Sequence, residues 1–162
     1  MTQRARDKIF VKRRLADRLV RDRRGGRRVV FTNGCFDLLH VGHLRSLEQA
    51  RSLGDILIVG VNRDRRAREL KGAGRPVVVE RQRAELVAGL RCVDYVVLFG
   101  EDTPAPLIRA LRPDIVAKGG EYRGGDAEEK GLIESLGGQF VYLRQVPGIR
   151  STHLVERARR SR

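Results

Sequence analysis

The sequence of 162 residues contains no tryptophan, and aromatic residues make up only 5% of it. Hydrophobic residues still amount to 41% and charged residues to 33%, a balance typical of a folded domain rather than of a disordered chain. The length fits one domain. Because aromatic side chains are scarce, the core must be built from valine, leucine, isoleucine and alanine.

The sequence also lacks long apolar runs and paired cysteines. No apolar segment approaches the ~20 residues that span a membrane, and the charged residues 1–14 lack the apolar stretch of a secretory signal. Cys35 and Cys92 lie in apolar surroundings outside any C-x-x-C pair, which predicts buried free thiols in a reducing compartment. We therefore expect a cytoplasmic protein that has no membrane partner.

Acidic residues are few relative to basic ones. There are 34 lysines and arginines against 20 aspartates and glutamates, which gives a net charge of +14. Such a charge suggests polyanionic partners, either phosphorylated small molecules or nucleic acid. Nearly all the basic residues are arginines scattered along the chain, however, and an arginine-rich solvent surface has the same composition. The charge permits phosphate ligands without identifying them.

Apolar segments alternate with helical ones along the chain, which predicts an α/β fold. We expect a single domain with a Rossmann-like open parallel sheet of five strands and helices on both faces. The predicted strands are 29–32, 56–61, 93–99, 115–117 and 140–143, and the helices are 42–53, 81–90, one opened by Pro104 and Pro106, 127–136, and one capped by Ser151 and Thr152.

Two segments outside these elements are rich in basic residues. Residues 1–26 are a basic leader, in which apolar residues near helical spacing predict an amphipathic helix over 7–24, ended by Gly25 and Gly26. Residues 27–162 form the main domain. The arginine-rich residues 62–75 are predicted to be a long mobile loop.

Polar residues gather at the predicted carboxyl ends of the strands, where open parallel sheets bind ligands. The first strand leads into Thr32-Asn33-Gly34-Cys35-Phe36-Asp37, and the later strands into residues that suit phosphates or nucleobases. These later residues are Asn62, Asp64, Lys71, Arg75, Lys118, Gly119, Gly120, Glu121, Tyr122, Ser151 and Thr152.

His40 and His43 are the most informative pair in the sequence. They flank Gly42, which allows close backbone approach, at the predicted start of a helix whose N-terminus attracts anions. Imidazoles there can donate hydrogen bonds to phosphate oxygens. The alternative is a helix cap and a surface residue, but two of the three histidines fall at this junction, which favours function. A zinc site is poorly supported, since Asp37 is the only nearby carboxylate and His153 is distant.

Residues 32–43 resemble the G-x-F-D-x-x-H-x-G-H signature of the cytidylyltransferase-like branch of the HIGH nucleotidyltransferase superfamily, and the wider similarity runs over about 29–155. Within that branch the chain is most similar to the adenylyltransferase domain of ADP-heptose synthase. The matching segments are Leu70-Lys71-Gly72, Arg75-Pro76, Gln82-Arg83, Val93-Asp94-Tyr95-Val96-Val97, Glu101-Asp102-Thr103-Pro104 and Lys118-Gly119-Gly120-Glu121-Tyr122.

This resemblance implies a reaction and its ligands. AMP would pass from ATP, with Mg²⁺ as cofactor, to the sugar phosphate D-glycero-β-D-manno-heptose 1-phosphate, and pyrophosphate would leave. It also implies a homodimer and, since no sugar-kinase domain is present in the sequence, a stand-alone form that relies on a separate kinase. No residue is expected to bind a metal ion itself.

The resemblance also assigns roles to residues. Catalytic roles fall to His40, His43 and Lys71. The nucleotide and its phosphates would contact Thr32, Asn33, Gly34, Cys35, Phe36, Gly42, Lys118, Gly119, Gly120, Ser151 and Thr152. The other substrate would contact Asp37, Asn62, Asp64, Arg75, Arg83, Glu121 and Tyr122.

Plainer interpretations stand beside several of these roles. Asp37 could instead bind nearby backbone, Lys71 and Arg75 could be solvated charges, Arg83 could lie on a charged helix face, and Ser151-Thr152 could be a cap alone. Arg150 stands where relatives carry a small residue, which leaves the γ-phosphate contacts open.

Other functions are also consistent with the sequence. Glycerol-3-phosphate cytidylyltransferase or an FAD synthetase-like adenylyltransferase would share the histidine motif. A nucleic-acid-binding module fits the charge but has no RRM, KH or helix-turn-helix signature. A domain that binds nucleotide without catalysis is the third class.

Overall fold

Long runs of apolar residues form the central strands of the sheet, because helices cover both of its faces. The computed structural model describes residues 4–119, 125–144, 147 and 151–160. Its strands are β1 Ile9–Phe10, β2 Val29–Gly34, β3 Ile56–Asn62, β4 Tyr95–Phe99, β5 Ile115–Gly119 and β6 Gln139–Leu143. Its helices are α1 Lys12–Asp22, α2 Val41–Ser52, α3 Asp64–Lys71, α4 Glu80–Gly89, α5 Ala105–Leu111, α6 Ala127–Ser135 and α7 Ser151–Arg160.

The strands form one parallel sheet in the order β1-β4-β3-β2-β5-β6. From β2 the chain moves outward through β3 to β4, and it then crosses to the other side of β2 to form β5 and β6. Val30 of β2 lies opposite both Leu57 and Ile115. The order of the strands therefore reverses between β2 and β5, which is where an open α/β sheet binds its ligands.

Alternate residues of β2 enter different core clusters. Val29 and Phe31 pack with residues of α1, α5 and α6, whereas Val30 packs with residues of α2 and α4. Leu15 and Leu19 of α1 are fully buried in the first cluster. The leader segment is thus packed on the sheet, and none of the described helices has the length and apolar character needed to cross a membrane.

The sheet has six strands rather than the five predicted. The additional strand is β1, whose Ile9 and Phe10 lie opposite Val96 and Val97 of β4. The prediction of one helix over 7–24 was therefore wrong at its start, because α1 begins only at Lys12. A two-residue edge strand is too short to show an alternating pattern.

The prediction of a mobile loop over 62–75 was also wrong. Residues 64–71 form α3, whose Ala67 is buried. The Glu80 carboxylate accepts hydrogen bonds from the backbone N–H of Asp64, at 2.8 Å, and from the Arg63 side chain, at 2.6 Å. These bonds stabilise the start of α3 as a cap does. Glu80 lies 16 residues from Asp64, so local sequence gave no sign of the cap.

The remaining predicted strands and helices are confirmed, and their ends shift by at most two residues. Each of them combines an apolar run or helical spacing with glycine or proline at its ends. The predicted strand 93–99, for example, is observed as Tyr95–Phe99.

Gly54, between α2 and β3, lies where no side chain fits. A Cβ atom there would stand 2.8 Å from Val30 Cγ2 and 2.9 Å from the Arg28 carbonyl oxygen. Since the backbone cannot yield as a flexible side chain would, we expect Gly54→Ala to lower the free energy of unfolding by about 1–3 kcal/mol. Urea denaturation of both proteins measures this.

Gly89 in α4 is the matched control for this prediction. Nothing lies within 4 Å of a Cβ atom at that position, and alanine is the better helix former by roughly 0.5–1 kcal/mol. Gly89→Ala should therefore be neutral or stabilising. Equal losses for the two variants would contradict the packing assigned to Gly54.

Candidate active site

A cavity opens at the carboxyl ends of β2 and β5, where the strand order reverses. Ten of the residues predicted to bind ligands line it, and they make up most of its lining. These residues are Thr32, Asn33, Gly34, Cys35, Phe36, Asp37, His43, Lys71, Gly119 and Ser151.

His40 and His43 hold each other at the N-terminus of α2. His40 is the N-cap residue, and its Nδ1 accepts hydrogen bonds from the backbone N–H groups of Gly42, at 3.1 Å, and of His43, at 3.4 Å. In return, His43 Nδ1 accepts from the His40 N–H at 3.3 Å. The two rings stack with centroids 3.8 Å apart. This reciprocal arrangement is a capping box made of two imidazoles.

The hydrogen bonds determine which ring nitrogens can donate. Because Nδ1 of both His40 and His43 accepts from backbone, the neutral form of each ring carries its proton on Nε2. Burial lowers the pKa of His43 from 6.5 to about 4, and the charges of His40 and Lys71 add to the effect. His43 is therefore neutral at pH 7 and has one N–H donor to offer.

Phe36 supports His43 from the turn that follows β2. Its φ of 50° is in the left-handed region, which a bulky residue rarely adopts. The Phe36 ring lies 5.3 Å from that of His43. A Cβ atom on Gly34 would stand 3.1 Å from the same ring, so glycine at that position leaves room for Phe36.

Lys71 ends α3 beside the cavity. Its side chain is exposed, and Gly72 follows in the left-handed region with φ of 91°. The charge of Lys71 acts on the site, since it lowers the pKa of His43 and opposes the rise that burial causes in the pKa of the Cys35 thiol. A cation in the lining of the cavity suits a phosphate ligand.

The Asp37 carboxylate faces protein groups. Its side chain is only 1% exposed. It accepts hydrogen bonds from Arg75 Nε at 2.5 Å and from the N–H groups of Val77 and Val78 at 2.7 and 2.9 Å. Asp37 and Arg75 therefore tie the turn after β2 to residues 75–78, and direct substrate contact by either residue stays a prediction.

Arg83 and Asp64 form a second internal pair. Arg83 has no exposed surface, and its Nη2 lies 2.7 Å from Asp64 Oδ1. Its Nε donates to the Val78 carbonyl at 2.8 Å, and its Nη1 donates to the Cys35 carbonyl. All three nitrogens of the guanidinium group thus bind other parts of the protein.

The remaining residues predicted near β2 and β3 are largely buried. Asn62 is 5% exposed, and its Oδ1 lies 3.7 Å from Cys35 Sγ, which donates to it. Thr32 is 6% exposed at the end of β2. Gly42 is buried in the first turn of α2, where its N–H is bound by His40.

Lys118 lies near the carboxyl end of β5 and is paired. Its Nζ is 2.8 Å from Glu129 Oε2 on α6, and both side chains are largely buried. Burial raises the pKa of Glu129, and the charge of Lys118 opposes that rise. Gly119 lines the cavity directly after it. Gly120, Glu121 and Tyr122, which the sequence also predicts to bind ligands, lie outside the described residues.

Ser151 and Thr152 are the first two residues of α7. Ser151 Oγ donates to the Leu38 carbonyl at 3.5 Å and lines the cavity, whereas Thr152 is exposed. The helix N-terminus thus faces the turn that follows β2. The position before Ser151 lies outside the described residues, so the predicted N-cap role is untested.

The sequence model of the Cytidylyltransferase-like family matches residues 31–157, which include the turn, both histidines and Ser151. The chain belongs to the cytidylyltransferase-like family. Membership makes this chain a nucleotidyltransferase, as the histidine motif indicated.

Two curated relatives of this nucleotidyltransferase are both named bifunctional protein HldE. The chain is 51% identical over 150 residues to the protein from Syntrophotalea carbinolica, a match that covers 93% of this chain and 31% of the relative. It is 51% identical over 132 residues to the protein from Pelobacter propionicus, with 82% and 27% covered. The chain thus spans less than a third of the length of these relatives.

A solved structure is also similar. It is the crystal structure of the lipopolysaccharide core biosynthesis protein from Thermoplasma volcanium, with a TM-score of 0.65 and 31% sequence identity. The match covers 76% of this chain and 100% of that protein.

The nucleotidyltransferase cavity includes three residues that sequence reasoning missed. They are Ser46, Leu47 and Leu143. Ser46 follows His43 by three positions in α2, so helical spacing alone could have placed it on the same face. Leu143 ends β6, and only the sheet order brings it close.

The low pKa of His43 makes stability depend on pH. The unfolded chain protonates this ring near pH 6.5, whereas the folded protein does so only near pH 4. Between these values the unfolded state binds more protons, so the free energy of unfolding must fall as the pH falls. We expect a slope of up to about 1.4 kcal/mol per pH unit from this group.

His43→Gln removes the titrating ring and is the comparison for this prediction. Urea denaturation at pH values between 4 and 6.5 should show a smaller decline for the variant than for the unchanged protein. Parallel curves for the two proteins would contradict the buried, neutral state assigned to His43.

Proposed function

We propose that the chain transfers AMP from ATP to D-glycero-β-D-manno-heptose 1-phosphate, producing ADP-heptose and pyrophosphate for lipopolysaccharide core or other heptose glycan synthesis. The resemblance to the adenylyltransferase domain of ADP-heptose synthase supports this substrate pair. The name of the similar Thermoplasma volcanium protein supports a role in lipopolysaccharide core synthesis. Since the chain spans under a third of its HldE relatives, their full activity is not carried over.

The observation that carries the proposal is the stacked histidine pair at the N-terminus of α2. Because Nδ1 of each neutral ring accepts from backbone N–H groups, each ring can donate a hydrogen bond only from Nε2. The N-terminus of α2 adds a helix dipole that is favourable for anions. Together these features suit a triphosphate held at the switch point of the sheet.

In the proposed reaction, an oxygen of the sugar phosphate attacks the α-phosphorus of ATP. The bond between the α-phosphorus and the bridging oxygen breaks, and pyrophosphate leaves with the electron pair. His40 and His43 donate to phosphate oxygens as negative charge develops there, and Lys71 adds a positive charge. Catalysis is therefore positioning and charge stabilisation, without a covalent enzyme intermediate.

The other predicted contacts belong to this proposal. Asn33, Gly34 and Phe36 would form the phosphate-binding turn, and Ser151 with Thr152 would meet the β- and γ-phosphates. The proposal also keeps Thr32, Cys35, Gly42, Lys118, Gly119 and Gly120 for the nucleotide, and Asp37, Asn62, Asp64, Arg75, Glu121 and Tyr122 for the sugar phosphate.

Mg²⁺ is expected to accompany the triphosphate. Among the described residues, no group of three histidine, cysteine or acidic side chains could hold a metal ion. The oxygens of Asp37, the carboxylate nearest the histidines in sequence, already accept protein hydrogen bonds. Mg²⁺ would neutralise negative charge on the bound triphosphate.

A homodimer and a cytoplasmic location complete the proposal. The dimer is supported by the resemblance. The location is supported by Cys35 and Cys92, which are both free thiols, as a reducing compartment would keep them.

The experiment is a substrate matrix. The protein is incubated with Mg²⁺, with each of ATP, CTP, GTP and UTP in turn, and with heptose 1-phosphate or glycerol 3-phosphate, while pyrophosphate release is followed. Turnover with ATP and heptose 1-phosphate alone supports the proposal. Turnover with CTP and glycerol 3-phosphate would replace it with the cytidylyltransferase activity. A folded protein that turns over no pair but shifts nucleic acid in a salt-sensitive gel would favour nucleic-acid binding instead.

A further inference from the structure

We propose that Arg83 is a positioning residue that fixes Phe36, and through it His43, rather than a residue that contacts substrate. The kinetic part of this inference rests on the proposed function, whereas the structural part does not. The sequence had suggested instead that Arg83 contacts the sugar phosphate.

The starting point is the backbone of Phe36. A φ of 50° is unfavourable for a large residue without a glycine's freedom, and it persists only where the surroundings enforce it. Phe36 makes its ring contact with His43 from this conformation. Contacts of the residues on either side of Phe36 must therefore hold the turn in this conformation.

Each neighbour of Phe36 is held by an arginine whose side chain is at most 10% exposed. The Cys35 carbonyl accepts a hydrogen bond from Arg83 Nη1, and the Asp37 carboxylate accepts one from Arg75 Nε. Asp37 also binds two backbone N–H groups of residues 77 and 78. The turn is thus fixed on both sides of the residue with the unfavourable backbone angle.

Arg83 connects this turn to two other segments. Its Nε binds the Val78 carbonyl, at 2.8 Å, and its Nη2 binds Asp64, at 2.7 Å, in the first turn of α3. The far end of α3 carries Lys71. One planar guanidinium group therefore sets the phosphate-binding turn, residues 75–78 and the helix of the lysine relative to one another. A lysine in its place could not reach three acceptors in this fixed geometry.

Because Arg83 is buried, it does not contact a substrate bound in the described site. The side chain has no exposed area, and each of its three nitrogens already donates to a protein acceptor. Nη1 and Nη2 each carry a second N–H group, but with no exposed area the side chain offers a substrate oxygen no path to them. Arg83 acts on the chemistry through Phe36, since small displacements of a catalytic donor are enough to cost about 10²-fold in rate.

Three variants and one control test this inference. Arg83→Met removes all three bonds, Arg83→Lys keeps the buried charge beside Asp64, and Asp64→Asn weakens one bond while leaving the bond to the Cys35 carbonyl. Arg81→Met is the control, because Arg81 is exposed on the same helix. For each protein we would measure kcat and KM with both substrates, the melting temperature, and the His43 pKa by NMR titration.

For Arg83→Met we expect kcat to fall roughly 10²-fold with little change in either KM. The His43 pKa should rise from about 4 toward 6.5, since a displaced Phe36 ring no longer shields the imidazole from water. Arg83→Lys should show both effects more weakly, Asp64→Asn more weakly still, and Arg81→Met neither. If Arg83→Met does not fold, the graded pair Arg83→Lys and Asp64→Asn gives the same test.

Two results would overturn the inference. A lower melting temperature with unchanged kcat and an unchanged His43 titration would make Arg83 a structural residue alone. A higher KM for the sugar phosphate with unchanged kcat would make it a substrate ligand. The NMR titration needs no substrate, so a shifted His43 pKa in a protein without turnover would support the inference on Arg83 while contradicting the proposed function.

Discussion

Replacing His43 by alanine lowers kcat by roughly 10²–10³-fold, by analogy with the loss of a single preorganised donor to a developing negative charge. The variant loses the Nε2–H group that, in the proposed reaction, donates to a phosphate oxygen. It also loses the acceptor for the His40 backbone N–H and the ring that stacks on His40, so the His40 ring is held less firmly. Pyrophosphate release at saturating substrate measures the change, and circular dichroism checks the fold.

The histidines should act as one unit, because each ring orients the other. We expect the double variant His40→Ala, His43→Ala to be little slower than either single variant, as groups that act together are strongly non-additive. His153→Ala, which removes the exposed histidine of α7, is the control and should keep its activity. Independent, multiplying losses would contradict the coupled pair, and a His43→Ala enzyme of normal kcat would remove His43 from the reaction.

Replacing Asp37 by alanine lowers the free energy of unfolding by about 3–5 kcal/mol, the cost of removing one partner from a buried ion pair. The change leaves the Arg75 guanidinium, only 10% exposed, without its carboxylate. It also leaves the N–H groups of Val77 and Val78 without acceptors. Urea denaturation followed by circular dichroism measures the loss.

Glu85→Ala is the matched control for Asp37→Ala. Glu85 pairs with Arg6 at 2.8 Å, but both side chains are well exposed, and exposed pairs contribute at most about 1 kcal/mol. If Asp37→Ala were no more destabilising than Glu85→Ala, Asp37 would not be the anchor of residues 75–78. Its predicted contact with substrate would then be the better explanation for an aspartate at this position.

The sequence predicts the parts of this fold that depend on local patterns. The continuous apolar run of β3 indicates a strand buried on both faces, and glycine ends the predicted elements where the chain turns. His40 and His43 stand at a strand–turn–helix junction, so the position of the site follows from the general rule for open sheets. These features need no knowledge of distant contacts.

The features that the sequence did not predict depend on residues far apart in the chain. Asp37 and Arg75 are separated by 38 positions, and Arg83 and Cys35 by 48. A charged residue such as Arg83, on a helix rich in charge, gives no local sign that its side chain is fully buried beside the site. The two-residue β1 and the arginine-rich α3 were missed for the same reason, since Val96 and Glu80 stabilise them from a distance.

The pairing of Lys118 is another contact that the sequence did not predict. Its place at the end of β5 is typical of a phosphate contact, but only the packing of α6 reveals Glu129 at 2.8 Å. Residue type and strand position predict which edge of the sheet binds the ligand. They do not predict which of the charges at that edge are paired within the protein.

The most direct test of the account follows the α-phosphate of ATP. The protein is incubated with Mg²⁺, heptose 1-phosphate and ATP radiolabelled in its α-phosphate, and the products and the protein are separated. We predict that the label passes to a sugar nucleotide with the mass of ADP-heptose, in equal amount to the pyrophosphate released, and that the protein stays unlabelled. Label bound to the protein, or pyrophosphate without a labelled sugar nucleotide, would contradict direct transfer to the sugar phosphate.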